Sequence, residues 1–360
     1  MITQPPDISL IVPLLNEAAE LSGLFASLAT QEGVNLEVIL CDGSSGDGSQ
    51  QLCRMLGATA PFTVQILNTP RGRGVQMNTG AALARSDLLL FLHADSRFSR
   101  TDALQIAIAA YRKESEKSAG PVAARFRLSF RRTDSQPSLA YYFYESKARL
   151  NRADCIRGDQ GFLLSRTLFN SLGGFDISLP FLEDIRLVAA SAERVTWLLL
   201  PAGISTSARR FETEGLYERQ VVNAIITDAV AAGWTEFFSS LPGIYHCNSV
   251  SGRLQLFPLL DGIRALLAAK PASWRRPFWR ATGRHVAGNI WQLFFWLDVR
   301  SSFISGSTTP DDVTTHKLQW FQRNLERFTC GRPAETITAA AVWIWFRVML
   351  IRHGISTKTS

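Results

Sequence analysis

The sequence predicts an α/β protein with a mostly parallel sheet flanked by helices, followed by an α-helical C-terminal extension. Short apolar segments of strand length alternate with segments whose apolar residues recur at helical spacing, a pattern typical of parallel strands joined by right-handed crossovers. The apolar run at residues 88–92 is followed closely by Asp95. Such a run predicts a buried strand that delivers the carboxylate to the carboxyl edge of the sheet, where ligands bind in open α/β folds.

The first strand is predicted at residues 8–13, and Pro13 stops it because proline cannot donate to a sheet ladder. Asn16 and Glu17 then open an amphipathic helix. Its apolar positions recur with a period of about 3.6 residues, and they are Leu21, Leu24, Phe25 and Leu28.

The second strand is predicted at residues 36–41 and runs into Asp42 and a loop of small residues. Small residues allow a loop to approach a ligand closely, and the helix predicted at residues 49–56 offers its N-terminus to an anion. A third strand at residues 64–67 and a helix at residues 75–84 lead to the strand before Asp95.

Adjacent carboxylates, Glu183 and Asp184, stand where apolar residues give way to a helical pattern. Without a relative for comparison, an acidic pair at this position is typical of a helix N-terminus, where it interacts favourably with the helix dipole. The same pair would also serve a catalytic site in which one acid accepts a proton and the other keeps the reacting groups in position.

The composition limits the class of protein to which this chain can belong. With 360 residues, 46% of them hydrophobic and 19% charged, the chain can bury a large core and is not disordered. The five cysteines are widely spaced without a CxxC motif, which predicts reduced thiols in a cytosolic protein and argues against a zinc site. The N-terminus lacks the basic region of a signal peptide, so a cytoplasmic location is expected.

The composition changes near residue 250, which predicts a boundary between an α/β domain at residues 1–249 and an extension at residues 250–360. The extension has 15 Lys and Arg against 6 Asp and Glu and contains seven of the nine tryptophans. Its apolar stretches at residues 286–299 and 337–351 are each shorter than the roughly 20 residues that span a bilayer.

Two interpretations of the extension remain open. Tryptophan mixed with arginine at residues 274–280 suits the headgroup region of an anionic membrane at the inner face of the cell membrane. An ordinary helical subdomain that buries its tryptophans is the alternative. Nucleic acid is a poorer explanation of the charge, because no recognised binding module accompanies it.

Three other motifs that the sequence brings to mind are excluded. Residues 42–47 resemble the start of an EF-hand loop, but Cys53 occupies the position of its bidentate glutamate. Residues 71–77 begin like a dinucleotide fingerprint and lack its third glycine. No GxxxxGK[ST] motif occurs, which excludes P-loop chemistry.

Four segments resemble family 2 glycosyltransferases with the GT-A fold: residues 11–17 (IVPLLNE), 41–48 (CDGSSGDG), 91–96 (FLHADS) and 173–184 (GGF…LED). Three more are similar to a bacterial subgroup of small, inverting members: residues 71–80 (RGRGVQMNTG), 158–162 (GDQGF) and 209–212 (RRFE). The resemblance covers about residues 7–245, and the order and spacing of the segments make it specific as a set.

The resemblance implies that Asp42 hydrogen-bonds the nucleobase of a donor, usually uracil. Pro13, Asn16 and Glu17 would flank the base. The alternative for Asp42 is a turn aspartate that caps its own loop.

By the same resemblance, Asp95 binds Mg²⁺ or Mn²⁺ that bridges the donor phosphates, and His93, Ala94 and Asp95 are expected to contact the donor. A hard divalent cation on oxygen ligands stabilises the charge that develops on a diphosphate leaving group. Most of the family has Asp-x-Asp here, whereas His93 replaces the first aspartate in this chain. Histidine cannot offer the same anionic contact, which leaves metal choice open.

Asp184 is the expected catalytic base, preferred by resemblance over Glu183. Inverting transfer requires a carboxylate that takes the acceptor proton as the oxygen attacks the anomeric carbon. The two adjacent negative charges should raise the pKa of one of these carboxyl groups, which would suit a base that acts at neutral pH.

Other donor-site residues follow from the motifs they occupy. The resemblance places Asn78 in the donor site and Asp159 near the donor sugar, and long cationic side chains next to glycines can fold toward phosphates. Arg71 and Arg73 are the cations next to glycines, and Asn78 and Asp159 are the polar residues expected to contact the donor. Arg209 and Arg210 occupy the position of a signature found in related processive enzymes, and a contact with the diphosphate is expected there. The absence of a Gln-x-x-Arg-Trp signature after Arg209 argues against processive polymer synthesis.

The sequence thus predicts a metal-dependent, inverting glycosyltransferase that uses a nucleoside-diphosphate sugar, most simply a UDP-sugar. The expected acceptor is a lipid-linked or cell-surface glycan precursor. Two rivals remain: a sugar-phosphate nucleotidyltransferase, which would need a Gly-rich triphosphate loop where residues 13–17 stand, and a non-catalytic membrane scaffold, which would not need Asp42, Asp95 and Asp184.

Overall fold

The chain forms two compact units in the computed structural model, which describes residues 5–178, 181–307 and 309–356. The first unit comprises the residues up to Arg131 together with Ala140–Ser207. The second comprises Arg132–Leu139 together with the residues from Ala208 onward.

The first unit is built on one sheet. Its strands are β1 (Ile8–Leu14), β2 (Leu36–Asp42), β3 (Thr63–Asn68), β4 (Leu88–Phe91), β5 (Arg97–Phe98), β6 (Val122–Arg131), β7 (Phe162–Ser165) and β8 (Thr196–Ser207). Their order across the sheet is β3-β2-β1-β4-β7-β6-β8-β5. β1 and β2 are almost entirely buried, as expected of parallel strands that are covered on both faces.

The α/β class is confirmed, and the sheet is more mixed than predicted. β1 to β4 pair in parallel, as expected from the alternation of strands and helices. β7 then enters between β4 and β6 and runs antiparallel to both, and β5 runs antiparallel to β8. The chain leaves β6 and re-enters the sheet as β7 from the same end of the strands. A parallel neighbour would require a crossover to the opposite end, so β7 is antiparallel.

Helices cover the sheet. Up to residue 207 they are α1 (Ala18–Ala29), α2 (Ser49–Thr59), α3 (Arg73–Leu83), α4 (Ala103–Lys117), α5 (Leu139–Lys147), α6 (Arg166–Ser171) and α7 (Glu183–Ser191). The helices predicted from residues 16, 49 and 75 are confirmed within a few residues. The apolar stripe predicted for α1 is its buried face.

The carboxyl ends of β1, β2 and β4 lie side by side. The register pairs Leu14 with Asp42 and Ile11 with Phe91. β4 ends at Phe91 rather than beside Asp95, because a turn follows in which the Ser96 amide donates to the His93 carbonyl at 3.1 Å. The expected edge position of Asp95 therefore depends on this turn and not on the strand itself.

The second unit is helical, as predicted for the C-terminal extension. Its helices are α8 (Arg209–Glu214), α9 (Leu216–Ala231), α10 (Glu236–Ile244), α11 (Leu256–Ala268), α12 (Ala272–Gly288), α13 (Trp291–Ile304), α14 (His316–Asn324) and α15 (Arg332–Ser356). The composition change near residue 250 falls inside this unit, because residues on both sides of it share one core. The ring of Trp234 lies 5.5 Å from Trp274 and 5.2 Å from Phe278.

Helix α15 extends well beyond the apolar stretch recognised in the sequence. Residues Arg332–Gly354, with a mean hydropathy of 1.5, form the one helix in the described part of the chain that is long and apolar enough to cross a membrane by length and composition. The tryptophans of the second unit differ in exposure: Trp291 is buried, whereas Trp320 and Trp343 are about half exposed.

All five cysteines are unpaired, as predicted. Cys41, Cys53 and Cys155 are buried in the first unit, and burial raises the pKa of each thiol to about 12. Cys247 and Cys330 are exposed in the second unit.

We expect Gly80→Ala to destabilise the first unit. The added Cβ would lie 2.6 Å from Ile11 Cγ2 and 2.7 Å from Cys41 Sγ, both on buried strands. The free energy of unfolding should fall by about 1–3 kcal/mol, although alanine is the better helix former. Denaturant unfolding monitored on the first unit measures this.

Gly120→Ala is the matched control in the same unit. Its added Cβ would make only an ordinary contact, 3.7 Å from the Arg194 carbonyl oxygen, so a change within about 0.5 kcal/mol is expected. Equal effects of the two substitutions would show that α3 does not depend on close approach at Gly80.

Candidate active site

Side chains lock the loops after β1 and β2 to each other. The Asp42 carboxylate accepts hydrogen bonds from the Ser45 hydroxyl at 2.5 Å and from the Ser45 amide at 3.2 Å. The Ser45 hydroxyl in turn accepts from the Asn16 amide at 2.9 Å, and Asn16 Oδ1 accepts from the Gly46 amide at 2.8 Å. The structure therefore brings Asn16 and Asp42 together at the carboxyl edge, beside Pro13 and Glu17.

Positive backbone φ angles occur at non-glycine residues in these loops and just before the acidic pair. Among the described residues, the non-glycine residues with positive φ are Asn16 (56°), Ser44 (69°) and Leu182 (70°). Leu182 immediately precedes the acidic pair Glu183 and Asp184. Asparagine tolerates this region and leucine does not, so the tertiary structure must hold Leu182 in place.

Asp95 has one fixed and one open carboxylate oxygen. Its Oδ2 accepts from the Thr206 hydroxyl at 3.0 Å and from the Ser207 amide at 3.2 Å, at the end of β8. Its Oδ1 is buried and has no hydrogen-bond partner among the described residues. The carboxylate is thus held at a defined angle with one acceptor oxygen unused.

Arg97 fixes the turn that carries Asp95. Its guanidinium donates to the carbonyls of Ala94 at 3.1 Å and Ser96 at 2.8 Å, on either side of Asp95. The same guanidinium donates to the Glu20 carboxylate of α1 at 2.9 Å. Ala94, a predicted donor contact, is buried and contributes its carbonyl to this clamp.

Arg73 links the start of α3 to the acidic pair. Its guanidinium forms an ion pair with Glu183 and lies 3.7 Å from Asp184 Oδ1. Asp184 Oδ2 accepts from the Gly158 amide at 2.8 Å. Both carboxylates are buried, at 2% and 7% exposed. The two predicted segments, residues 71–80 and 183–184, therefore form one site.

The expected rise in the pKa of an acid in the 183–184 pair does not occur at Asp184. Burial alone would raise this pKa, but the Arg73 charge and the Gly158 amide outweigh burial and hold the pKa below its ordinary value. Asp184 is therefore a carboxylate at neutral pH. The prediction considered only the adjacent acid and not the cation that the fold supplies.

A raised pKa is found instead at Asp159. Burial, followed by the negative charge of Asp184, raises the pKa of Asp159 to about 6. Its Oδ1 is buried without a hydrogen-bond partner among the described residues. His93 lies in the same site, and burial together with the Arg73 charge lowers its pKa to about 4, so its imidazole is neutral.

A small cavity brings His93 together with the acidic pair. It is lined by Met77, Phe91, His93, Gly158, Phe162, Phe175, Glu183 and Asp184. Apolar side chains form much of the wall, and the acidic pair and His93 face the same space. Such a wall limits water and strengthens the electrostatic interactions inside.

Asn78 has both ends of its amide engaged in the structure. Nδ2 donates to the Phe175 carbonyl at 2.9 Å, and Oδ1 accepts from the Phe175 amide at 2.9 Å. Asn78 therefore positions the segment that leads to the acidic pair. Its predicted contact with the donor stays a prediction.

The remaining predicted cations are Arg71, Arg209 and Arg210. Arg71 is exposed in the turn before α3. Arg209 and Arg210 belong to α8 in the second unit, where Arg210 forms an ion pair with Glu214 at 2.9 Å. Their predicted contact with the diphosphate is likewise still a prediction.

Sequence reasoning missed Thr206, Arg97 and Gln76. Gln76 donates to the carbonyls of Leu14 at 2.7 Å and Cys41 at 2.6 Å and so joins α3 to the ends of β1 and β2. Thr206 had a signal: the apolar run at residues 197–200, followed by Ala202 and Ile204 in alternation with small residues, predicts a strand that ends near residue 207. Nothing local distinguishes Arg97 from a surface arginine.

A family comparison agrees with this geometry. Residues 9–173 match the model of glycosyl transferase family 2. An uncharacterized glycosyltransferase of Mycobacterium tuberculosis, Rv1514c, is 24% identical over 63% of this chain and 83% of its own length. The PGL/p-HBAD biosynthesis glycosyltransferase of Mycobacterium bovis is 34% identical over 31% of this chain and 44% of its own length.

The 4,4'-diaponeurosporenoate glycosyltransferase of Staphylococcus haemolyticus is 31% identical over 30% of this chain, which spans only 29% of that relative. Among solved structures, a Pyrobaculum calidifontis mannosyltransferase with GDP-Man and Mn²⁺ is 16% identical over 97% of this chain and 88% of its own, with a TM-score of 0.48. S. aureus TarS with UDP is 16% identical over 88% of this chain and 91% of its own, with a TM-score of 0.46.

We expect Asp159→Asn to stabilise the protein in a pH-dependent way. The pKa of Asp159 is raised from 3.8 to about 6, so the folded state binds more protons than the unfolded state between these values. Above pH 6 the buried carboxylate therefore opposes folding by about 1–3 kcal/mol, and below about pH 4 this cost disappears. Denaturant unfolding from pH 4 to 8 measures the difference.

Asp87→Asn, which changes an exposed carboxyl in the same unit, is the control and should show little change. A loss of stability in Asp159→Asn at pH 7, or a gain that does not vary with pH, would contradict the burial of this charge.

Proposed function

We propose that this chain, which carries a family 2 glycosyltransferase domain, transfers a sugar with inversion from a nucleoside-diphosphate sugar to an acceptor hydroxyl, and that its donor is a UDP-sugar. One observation carries the proposal. The buried Asp184 carboxylate, ionised beside Arg73 and held by the Gly158 amide, shares a pocket with His93 at the sheet edge where Asp95 presents an open oxygen.

Asp184 accepts the acceptor proton in this proposal. Since Oδ2 is occupied by the Gly158 amide, Oδ1 is the atom assigned to the proton. The acceptor oxygen bonds to the anomeric carbon as the bond to the phosphate oxygen breaks on the opposite face. The electron pair leaves with the nucleoside diphosphate, and the proton passes to Asp184. A depressed pKa keeps the base ionised at neutral pH.

The base of the donor is assigned to the loops after β1 and β2. Asp42 would bind uracil, with Pro13, Asn16 and Glu17 beside it. The hydrogen bonds between Asn16, Ser45 and Asp42 support this role because they hold the loop rigid before a ligand arrives. The positively charged candidates for the diphosphate are Arg71, Arg73, Arg209 and Arg210.

The residues at Asp95 fit a divalent cation that is shared with the donor. The described residues contain no cluster of three or more His, Cys, Asp or Glu side chains placed to hold a metal by themselves. Mg²⁺ and Mn²⁺ in nucleotide sites are commonly held by one or two carboxylates and the substrate phosphates, which matches the single open oxygen of Asp95. When bound, the cation would neutralise charge on the diphosphate.

We further propose that the acceptor is a lipid-linked or cell-surface glycan precursor and that residues 250–360 contact an anionic membrane from the cytoplasmic side. Support comes from the excess of basic residues in this region, 15 Lys and Arg against 6 Asp and Glu. Cations also lie over exposed aromatic rings: Arg300 is 5.9 Å from Trp296 and Arg327 is 4.7 Å from Phe328. Such pairs suit a headgroup region.

Nucleotide binding tests the donor. We expect UDP to bind in preference to GDP, CDP and ADP, and Mn²⁺ to strengthen its binding. In Asp95→Ala the strengthening by Mn²⁺ should be lost, a change of at least about tenfold in Kd, because the open oxygen is removed. Isothermal titration calorimetry with and without Mn²⁺ measures this, and Asp87→Ala should behave as the unmodified protein.

Failure to bind any of the four nucleotides would overturn the transferase proposal. Release of pyrophosphate from a nucleoside triphosphate and a sugar phosphate would favour a nucleotidyltransferase instead.

Substitution of the base separates binding from chemistry. Asp184→Asn should lower the rate of UDP release from UDP-sugars by about 10²–10⁴-fold, the usual contribution of a general base. UDP affinity should change little, because the proposed base does not contact the nucleotide. The assay compares UDP-glucose, UDP-galactose and UDP-N-acetylglucosamine with a polyprenyl phosphate as acceptor. Full activity in Asp184→Asn would exclude it as the base.

A further inference from the structure

Helix α15 has an apolar face that is already packed within the second unit. Glu335, near its start, accepts hydrogen bonds from Arg280 at 2.8 Å and Arg284 at 2.7 Å. Further along, Phe346 and Met349 are buried, and the Phe346 ring lies 6.2 Å from Trp279. These contacts tie the helix to α12 over most of its length.

The close approach of α12 confirms how firmly this face is held. A Cβ added at Gly283 would lie 2.2 Å from the Glu335 carbonyl oxygen and 2.8 Å from Ala339 Cβ. Near the far end, a Cβ added at Gly354 would lie 2.8 Å from the Phe257 ring. The helix is therefore seated lengthwise on the second unit.

The opposite face of α15 is also apolar, and it is exposed. Its large side chains recur at helical spacing and are Ile337 (72% exposed), Ile344 (55%), Val348 (54%) and Ile351 (61%). Ala340 and Ala341 lie between them. We name these six residues the α15 stripe. A soluble helix normally places polar residues on this face.

Amphipathic side chains border the stripe. Trp343 and Trp345 are partly exposed, and Arg347 lies 5.7 Å from the centroid of the Trp343 ring. Arg352 is exposed near the C-terminal end. Tryptophan and arginine at the edges of an apolar stripe are typical of a helix whose flanks lie among lipid headgroups.

The stripe is shorter than the hydrocarbon core of a bilayer, although the helix that carries it is long enough to span one. From Ile337 to Ile351 it extends about 21 Å at 1.5 Å per residue, against a hydrocarbon core of about 30 Å. A spanning orientation would also detach Glu335 from Arg280 and Arg284 and strip the buried face of its partners. The geometry is that of a helix with one face on protein and the other in lipid.

We infer that α15 lies in the plane of an anionic membrane and inserts the α15 stripe into the boundary between headgroups and acyl chains. The inference rests on the proposed membrane association of residues 250–360 and specifies the element and its orientation. A second copy of the chain fits the surface less well, because Arg347 and Arg352 beside the stripe, and the basic region around them, would repel their counterparts.

Vesicle flotation of the full chain tests the contact. The unmodified protein should float with vesicles of phosphatidylcholine and phosphatidylglycerol and bind vesicles of phosphatidylcholine alone at least tenfold more weakly. Ile344→Asp should reduce binding to the anionic vesicles at least tenfold. Met55→Asp, which changes an exposed apolar residue of the first unit, should bind as the unmodified protein does. Equal binding of Ile344→Asp and Met55→Asp would overturn the inference.

Labelled cysteines distinguish an in-plane helix from a spanning one. In a chain with Cys247→Ser and Cys330→Ser, single cysteines are placed by Ile337→Cys and Ile351→Cys and carry an environment-sensitive dye. In-plane insertion predicts equal depth of both labels and quenching of both from the outer side. If only one end can be quenched from outside, the helix spans and the inference is wrong. A concentration-dependent dimer that excludes vesicles would also refute it.

UDP binding by the Ile344→Asp variant separates this inference from the proposed function. None of the six stripe residues belongs to the candidate active site, so UDP affinity in solution should be unchanged while vesicle binding is lost. Vesicle binding without any nucleotide binding would leave the membrane contact standing and remove the transferase.

Discussion

The site depends on the placement of one guanidinium among several carboxylates. Arg73 pairs with Glu183 and approaches Asp184, two residues about 110 positions further along the chain. Buried carboxylates repel one another and lose hydration, so without a cation this cluster would protonate or separate. Arg73 keeps Asp184 ionised, whereas burial, followed by repulsion from Asp184, raises the pKa of Asp159. The pKa of Asp184, close to Arg73, is therefore lowered, whereas that of Asp159 is raised.

Helix α3 is the element that makes this placement possible. Gly80 lets the helix lie directly on β1 and β2, and Gln76 ties it to the ends of the same strands. Asn78 holds the segment before the acidic pair through both ends of its amide. The segment at residues 71–80 thus joins α3 to the strands and to the segment before the acidic pair, and Arg73, near its start, pairs with the carboxylates.

The fold class and the edge positions of Asp42 and Asp95 followed from local patterns, since strand length, helical period and strand ends are written in short segments. The antiparallel insertion of β7 did not, because strand order depends on pairings between residues far apart in sequence. The ionisation of Asp184 also escaped prediction: its neighbour Glu183 is visible in the sequence, whereas Arg73 becomes a neighbour only through folding. Thr206 was missed for a similar reason, as its strand reaches Asp95 from 111 residues away.

The distribution of thiols gives the two units different chemistry toward oxidants. Only a thiolate reacts readily, and the buried Cys41, Cys53 and Cys155, with pKa values raised to about 12, stay protonated in any physiological medium. Cys247 and Cys330 are exposed, so peroxide or an alkylating agent would reach these two thiols first, although burial also raises the pKa of Cys247 above its ordinary value. Oxidative damage and intermolecular cross-linking should begin in the helical unit, while the sheet that carries the carboxylates remains chemically intact.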